Sequence, residues 1–193
     1  GVKDSAPGQI KIKFMREYLD ILKKYNDKQN IYLIGFMGTG KTAVSQRLSA
    51  ITGMELVDSD SAIVDKVGMS INEIFDKYGE EYFRDLETEF LRKIGKKEHT
   101  IISCGGGMPL RKENVSIMKD SGVVALLQAT AETIYERIKD SDDRPKLKGN
   151  MNPEYISSLM ENRREAYESA KTFAVDTDNK SLTEISMEIL KNS

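Results

Sequence analysis

The 193-residue sequence predicts an α/β fold in three layers, a five-stranded parallel sheet with helices on both faces. Two observations carry that expectation. From residue 31 onward, five short apolar runs alternate with helical patterns, and each run stops beside Gly, Asp or Thr. The runs are also largely continuous in their apolar character, as strands covered on both faces are; a strand with one wet face would alternate.

Strands are expected at 31–36 (IYLIGF), 54–58 (MELVD), 100–104 (TIISC), 123–128 (VVALLQ) and 173–176 (FAVD). Helices are expected at 41–52, across 70–96 as two helices broken near Gly79, and at 112–120, 131–139, 153–170 and 181–192. Ser70 with Glu73, and Ser181 with Glu184, have capping-box spacing and mark two helix starts. Residues 1–29 precede the first strand as an extension, and residues 30–193 form the main domain. Met15, Tyr18, Leu19 and Leu22 fall at i, i+3, i+4 and i+7, so residues 14–25 are expected to form an amphipathic helix. The extension is a fusion boundary, an expression remnant or a helix packed on the domain. Residues 140–153 (DSDDRPKLKGNMNP) are polar and rich in charge, Gly and Pro, the composition of a mobile loop of the kind that serves as a lid.

Length and composition narrow the function. The chain suits one domain with a sizeable core. With 29 basic and 31 acidic side chains the net charge is −2, which argues against a general nucleic-acid binder but leaves room for a basic pocket. The single cysteine, Cys104, can form neither an internal disulfide nor a cysteine zinc site, and points to a reducing compartment. Neither a membrane-length apolar run nor a secretory core is present, so a cytoplasmic protein without membrane contact is expected. His99, the only histidine, is expected to be exposed.

The segment GFMGTGKT (35–42) fits the phosphate-loop spacing G-x-x-x-x-G-K-[ST] through Gly35, Gly40, Lys41 and Thr42. Glycines let backbone N–H groups close on phosphate oxygens, and Gly38 adds a further flexible point. The helix that follows presents unpaired N–H groups and the positive end of its dipole. Lys41 can follow the β- and γ-phosphates, and the Thr42 hydroxyl can ligate Mg²⁺. The loop therefore holds a nucleoside triphosphate.

Three later segments bear on the acceptor. Asp58 and Asp60 are two apart, so in an extended chain both point to one face at the carboxyl edge of the sheet; alternatively, one of them caps a helix beginning near Ser61. Arg84 and Glu87 in FRDLE share a helical face, which either holds the guanidinium for a substrate carboxylate or is a surface ion pair. CGGG (104–107) allows close approach to a ligand or is a permissive turn.

In order and spacing, GFMGTGKT, DSD, FRDLE, CGGG, the RP of the 140–153 segment and RREAY resemble the shikimate kinases over residues 31–192. The resemblance implies a P-loop kinase fold with a mobile lid, and transfer of the γ-phosphoryl group of ATP to the 3-hydroxyl of shikimate with Mg²⁺ as cofactor. It assigns the nucleotide to Gly38, Thr39, Gly40, Lys41, Thr42 and Ala43, with Arg137 near adenine and Arg144 on the lid. It assigns Mg²⁺ to Thr42 and, through water, to Asp58. Lys41, Asp60 and Arg144 are implied as catalytic, Asp60 gripping the acceptor hydroxyl. Shikimate is implied to meet Asp60, Arg84, Gly105, Gly106, Gly107 and Arg163, with Glu87 orienting Arg84 and with Phe75 and Phe83 as apolar walls. With an ordinary pKa of about 3.9, Asp60 is expected to orient the hydroxyl and accept its proton late.

The chain departs from the family pattern at Lys146, where an apolar residue often follows the proline, and in RREAY, which lacks an internal proline. Arg164 is the neighbouring alternative to Arg163, about 100° around the helix. The rival readings are a related small-molecule kinase, such as one for gluconate, and a catalytically silent nucleotide-binding module docking through its N-terminal helix. A monomer is expected unless that helix mediates association.

Overall fold

Parallel pairing throughout the sheet brings all five strand ends that carry chemistry to one edge. The computed structural model describes residues 7–24, 29–140 and 152–193. In chain order the elements are α1 (Pro7–Lys24), β1 (Asn30–Ile34), α2 (Lys41–Thr52), β2 (Glu55–Asp58), α3 (Ser59–Val67), α4 (Ile71–Tyr78), α5 (Glu80–Ile94) and β3 (Thr100–Ser103). A 3-10 turn (Met108–Leu110) leads to α6 (Lys112–Ser121), β4 (Gly122–Gln128), α7 (Ala131–Ile138), α8 (Pro153–Ala170), β5 (Phe173–Asp176) and α9 (Leu182–Asn192).

The strand order is β2-β3-β1-β4-β5. The chain leaves β1 toward one side and returns to β4 on the other, so a crevice opens at the carboxyl end of β1, where α/β sheets bind ligands. β1 is buried along its whole length, and its side chains alternate between two cores. Tyr32 and Ile34 pack with Ile102, Val124 and Leu126 against α5, α6 and α8 through Leu91, Met118 and Ile156. Ile31 and Leu33 pack with Ile101, Ala125 and Val175 against α2 and α9 through Val44, Leu48, Ile185 and Ile189. Each such aliphatic side chain removed from water contributes about 1.5–3 kcal/mol. A third, smaller core of Ile63, Ile74, Phe83 and Leu86 joins α3, α4 and α5.

The two expected capping boxes are formed, Ser70 with Glu73 and Ser181 with Glu184. The break at Gly79 separates α4 from α5 as expected, with Gly79 at φ +85°. Three expectations are corrected. α3 begins at Ser59 directly after β2, so Asp58 and Asp60 are not related by strand alternation. α1, the expected helix, reaches back to Pro7, but Met15 and Leu19 of its expected stripe are exposed; Tyr18 of that stripe does dock, its hydroxyl donating to Ile51 O at 3.2 Å, joined by Ile21 from outside it. His99 is half-buried and takes a positive φ of 58°. Residues 141–151 of the expected lid, with Arg144 and Lys146, lie outside the described residues.

Asn30 ties the amino ends of the two central strands. Fully buried, it donates to Lys97 O at 2.9 Å and accepts from Thr100 N–H at 3.1 Å. Asn30→Ala removes both bonds and leaves a buried donor and acceptor unsatisfied, which should cost about 2 kcal/mol. Urea unfolding should show a lower midpoint with an unchanged slope.

Candidate active site

The turn between β1 and α2 is shaped by glycines that no other residue replaces cheaply. Gly38 and Gly40 sit at φ +78° and +98°, where a Cβ is strained. Thr39 closes the turn, its hydroxyl donating to Phe36 O at 2.7 Å. Lys41 folds over the loop and donates through Nζ to Gly35 O at 2.5 Å and Phe36 O at 3.1 Å. Lys41, exposed Thr42 and half-buried Ala43 form the first turn of α2, and the positive dipole end there suits an anion. From α7, Arg137 donates to Gly38 O at 2.9 Å, to the Thr177 hydroxyl at 3.2 Å and to Thr177 O at 3.3 Å. It thereby bridges the loop to the 176–180 segment.

At the end of β3 the three consecutive glycines each make room for a different charged side chain. A Cβ on Gly105 would lie 2.6 Å from Asp60 Oδ1. On Gly106 it would meet Arg163 Nη1 at 3.3 Å, and on Gly107 it would overlap the guanidinium of Arg84. None of the three has a positive φ, so they serve space rather than conformational freedom. The turn is further held by Ser59, whose hydroxyl accepts from Gly105 N–H at 2.8 Å, and by Tyr167, whose hydroxyl donates to Gly106 O at 2.8 Å. Asp60, Arg84 and Arg163, far apart in sequence, are thus gathered on one short turn.

Arg84 is 7% exposed and is pinned by two carboxylates, Glu87 Oε2 at 2.7 Å on Nη1 and Glu80 Oε1 at 3.1 Å on Nη2. Glu87 is fully buried, and its second oxygen, Oε1, has no hydrogen-bond partner. Burial pushes the Glu87 carboxyl above its ordinary range, with Arg84 pulling it back. Asp60 is likewise raised, first by burial and then by the nearby Asp58, while Lys41 and Arg84 oppose the shift. Asp58 caps α3, with Oδ1 accepting from Ser61 N–H at 2.9 Å. Burial also raises the Cys104 thiol, which disfavours a thiolate nucleophile.

Phe75 and Phe83 stack at 5.0 Å between centroids, and the Arg84 guanidinium carbon lies 5.5 Å from the centre of the Phe83 ring. Phe83 belongs to the third core, so it supports Arg84 from below. Arg163 and Arg164 separate as their helical spacing requires. Arg163 reaches the glycine turn, whereas Arg164 pairs with Glu161 and lines a cavity of about 700 Å³ with Phe36, Thr39, Thr130 and Met160. Among these residues, sequence reasoning did not single out Glu80, Ser59 or Tyr167 for the site. Glu80 was detectable at four residues before Arg84 on the same helical face; Ser59 carries no distinguishing pattern.

A family model described as shikimate kinase matches residues 37–193. A shikimate kinase of Geobacter sulfurreducens is 40% identical over 164 residues, covering 85% of this chain and 90% of the relative. The chain belongs to the shikimate kinase family. Among solved structures, the shikimate kinase from Acinetobacter baumannii in complex with shikimate superimposes with a TM-score of 0.79 at 30% identity, covering 88% of this chain and 95% of that one. A gluconokinase from Sinorhizobium meliloti, at 15% identity and a TM-score of 0.53 over 86% of this chain and 91% of that one, shares the fold alone. The family match thus takes in the phosphate loop from Met37 onward together with the glycine turn.

Gly107→Ala and Gly106→Ala should separate cleanly. At Gly107 the new methyl displaces a guanidinium held in a buried pair, for a cost of about 1–3 kcal/mol. At Gly106 the neighbour is the end of a half-buried arginine that can shift, and the cost should stay within about 0.5 kcal/mol. Denaturant midpoints of the two variants measure the difference.

Proposed function

We propose that this chain transfers the γ-phosphoryl group of ATP to the 3-hydroxyl of shikimate, releasing ADP and shikimate 3-phosphate. The observation that carries the reading is the glycine turn, which brings a carboxylate, Asp60, and two guanidinium groups, Arg84 and Arg163, beside a phosphate loop. A small polyhydroxy carboxylate needs that combination: arginine forks for its carboxylate and an acceptor for its hydroxyl. The Acinetobacter relative with bound shikimate supports the same substrate.

In this reading Lys41 leaves the carbonyls of Gly35 and Phe36 for the β- and γ-phosphates, and the first turn of α2 from Gly40 to Ala43 cradles them with Gly38 and Thr39. Arg137 lies against adenine. Arg84 and Arg163 hold the substrate carboxylate, Glu87 fixes Arg84, and the turn of Gly105, Gly106 and Gly107 borders the ring, with the Gly105 N–H kept by Ser59. Asp60 orients the 3-hydroxyl and takes its proton as the new P–O bond forms. Its raised pKa makes it a better acceptor than an ordinary aspartate. Arg144 is assigned by resemblance alone to the charge on the transferring group. Thr42 and Asp58 fit a Mg²⁺ carried mainly by phosphate oxygens and water, since capping engages only Oδ1 of Asp58. When bound, the ion neutralises charge on the transferring phosphoryl group.

The same reading takes residues 30–193 as the kinase unit, active as a cytoplasmic monomer. Cys104 is a buried free thiol, in keeping with a reducing compartment. Among the described residues no helix is long and apolar enough to cross a membrane.

ADP release from ATP and Mg²⁺ tests the proposal, with shikimate and, in parallel, gluconate. Release that depends on shikimate is expected; release with gluconate alone would overturn the substrate, and silence with both would favour a binding module. Asp60→Asn should lower kcat by about 100-fold or more while ATP binding persists. It should also raise Tm at pH 7. A raised carboxyl pKa contributes stability below the ordinary Asp range, and that contribution is lost as pH rises through the folded value. The gain from asparagine is therefore full at neutral pH and vanishes in acid, as melting curves across pH would show.

A further inference from the structure

Two carboxylates hold Arg84, and they differ in how firmly they are placed. The Glu87 side chain is 1% exposed and its oxygen lies 2.7 Å from Nη1. The Glu80 side chain is 62% exposed and its oxygen lies 3.1 Å from Nη2. Withdrawing Glu87 would strand a buried carboxylate whose other oxygen already lacks a partner. Glu80 has no such constraint. It is the first residue of α5, follows Gly79, and can turn its charge into water while keeping the favourable helix N-terminus.

We propose that Glu80 is a placeholder carboxylate, which occupies Nη2 of Arg84 in the empty site and yields it to the carboxylate of the substrate. This rests on the role given to Arg84 above. A planar carboxylate binds a guanidinium best through two N–H groups, and Glu87 already takes one on Nη1. Glu80 takes one on Nη2, so a two-pronged ligand must compete with it. The contest sets a threshold. An exposed i,i+4 ion pair is weak, so an anion that also reaches Asp60 and Arg163 displaces it easily. A plain carboxylate gains Arg84 alone and has the same competitor to remove. An uncharged analogue has no means of displacing Glu80. The second carboxylate thus weakens every anion at Arg84 by the same factor, and only one with contacts beyond Arg84 binds well against it.

Glu80→Gln keeps the size of the side chain and removes the charge. Steady-state kinetics should show the KM for shikimate lowered about three- to fivefold with the KM for ATP unchanged, the scale of one weak exposed pair. Benzoate, used as a plain carboxylate inhibitor competitive with shikimate, should gain by the same factor, and the methyl ester of shikimate should not. A shikimate KM that rises, or stays where it was, would overturn the placeholder; Glu80→Ala repeats the test without the amide. Arg84→Ala separates this inference from the reading beneath it. If that variant leaves the shikimate KM unchanged, the role of Arg84 itself fails. If it raises the KM while Glu80→Gln does not lower it, only the placeholder fails.

Discussion

The guanidinium of Arg84 lies in the space that a side chain on Gly107 would fill, and the arrangement of the acceptor side follows from that exclusion. A buried cation needs anions, and α5 supplies them on its own surface, Glu87 one turn after and Glu80 one turn before. Glu87 is in turn committed to burial by Arg84, and the pair fixes the rotation of α5 against the glycine turn. The two neighbouring glycines repeat the device with Asp60 and Arg163. Backbone without Cβ atoms is therefore the surface on which three charged side chains are registered.

The sheet was legible because its strands are covered on both faces. An apolar run such as IYLI states its own burial, and the helices between such runs follow from parallel pairing. α3 was harder to see as an element: SDSAIVDKV is short, weakly periodic and begins with no break after β2. The same abruptness spoiled the expectation for Asp58 and Asp60. A pair two apart shares a face only while the chain stays extended, and here it turns helical at Ser59.

Within the site, local spacing was readable and depth was not. Arg84 with Glu87 could be read as a helical pair, but whether it lay on the surface or inside depended on Gly107, more than 20 residues away. Glu80 obeyed the same spacing rule and went unremarked because exposed acidic residues are common on helices. The choice between Arg163 and Arg164 needed the position of α8 relative to the glycine turn, which sequence spacing does not contain. The glycines were recognised as a place of close approach, yet the groups that approach within the chain itself are side chains of distant segments.

The small core of Ile63, Ile74, Phe83 and Leu86 stands apart from the two cores of the sheet. It links α3, which carries Asp60, to α5, which carries Arg84, so a shift in that core moves the Asp60 carboxylate and the Arg84 guanidinium as one body. The phosphate loop, rooted in β1 and α2, belongs to a different packing unit. Such a division makes one half of the site adjustable on its own. Repacking a handful of apolar residues would move Asp60 and Arg84 while the phosphate loop, with its central strand, stays as it was.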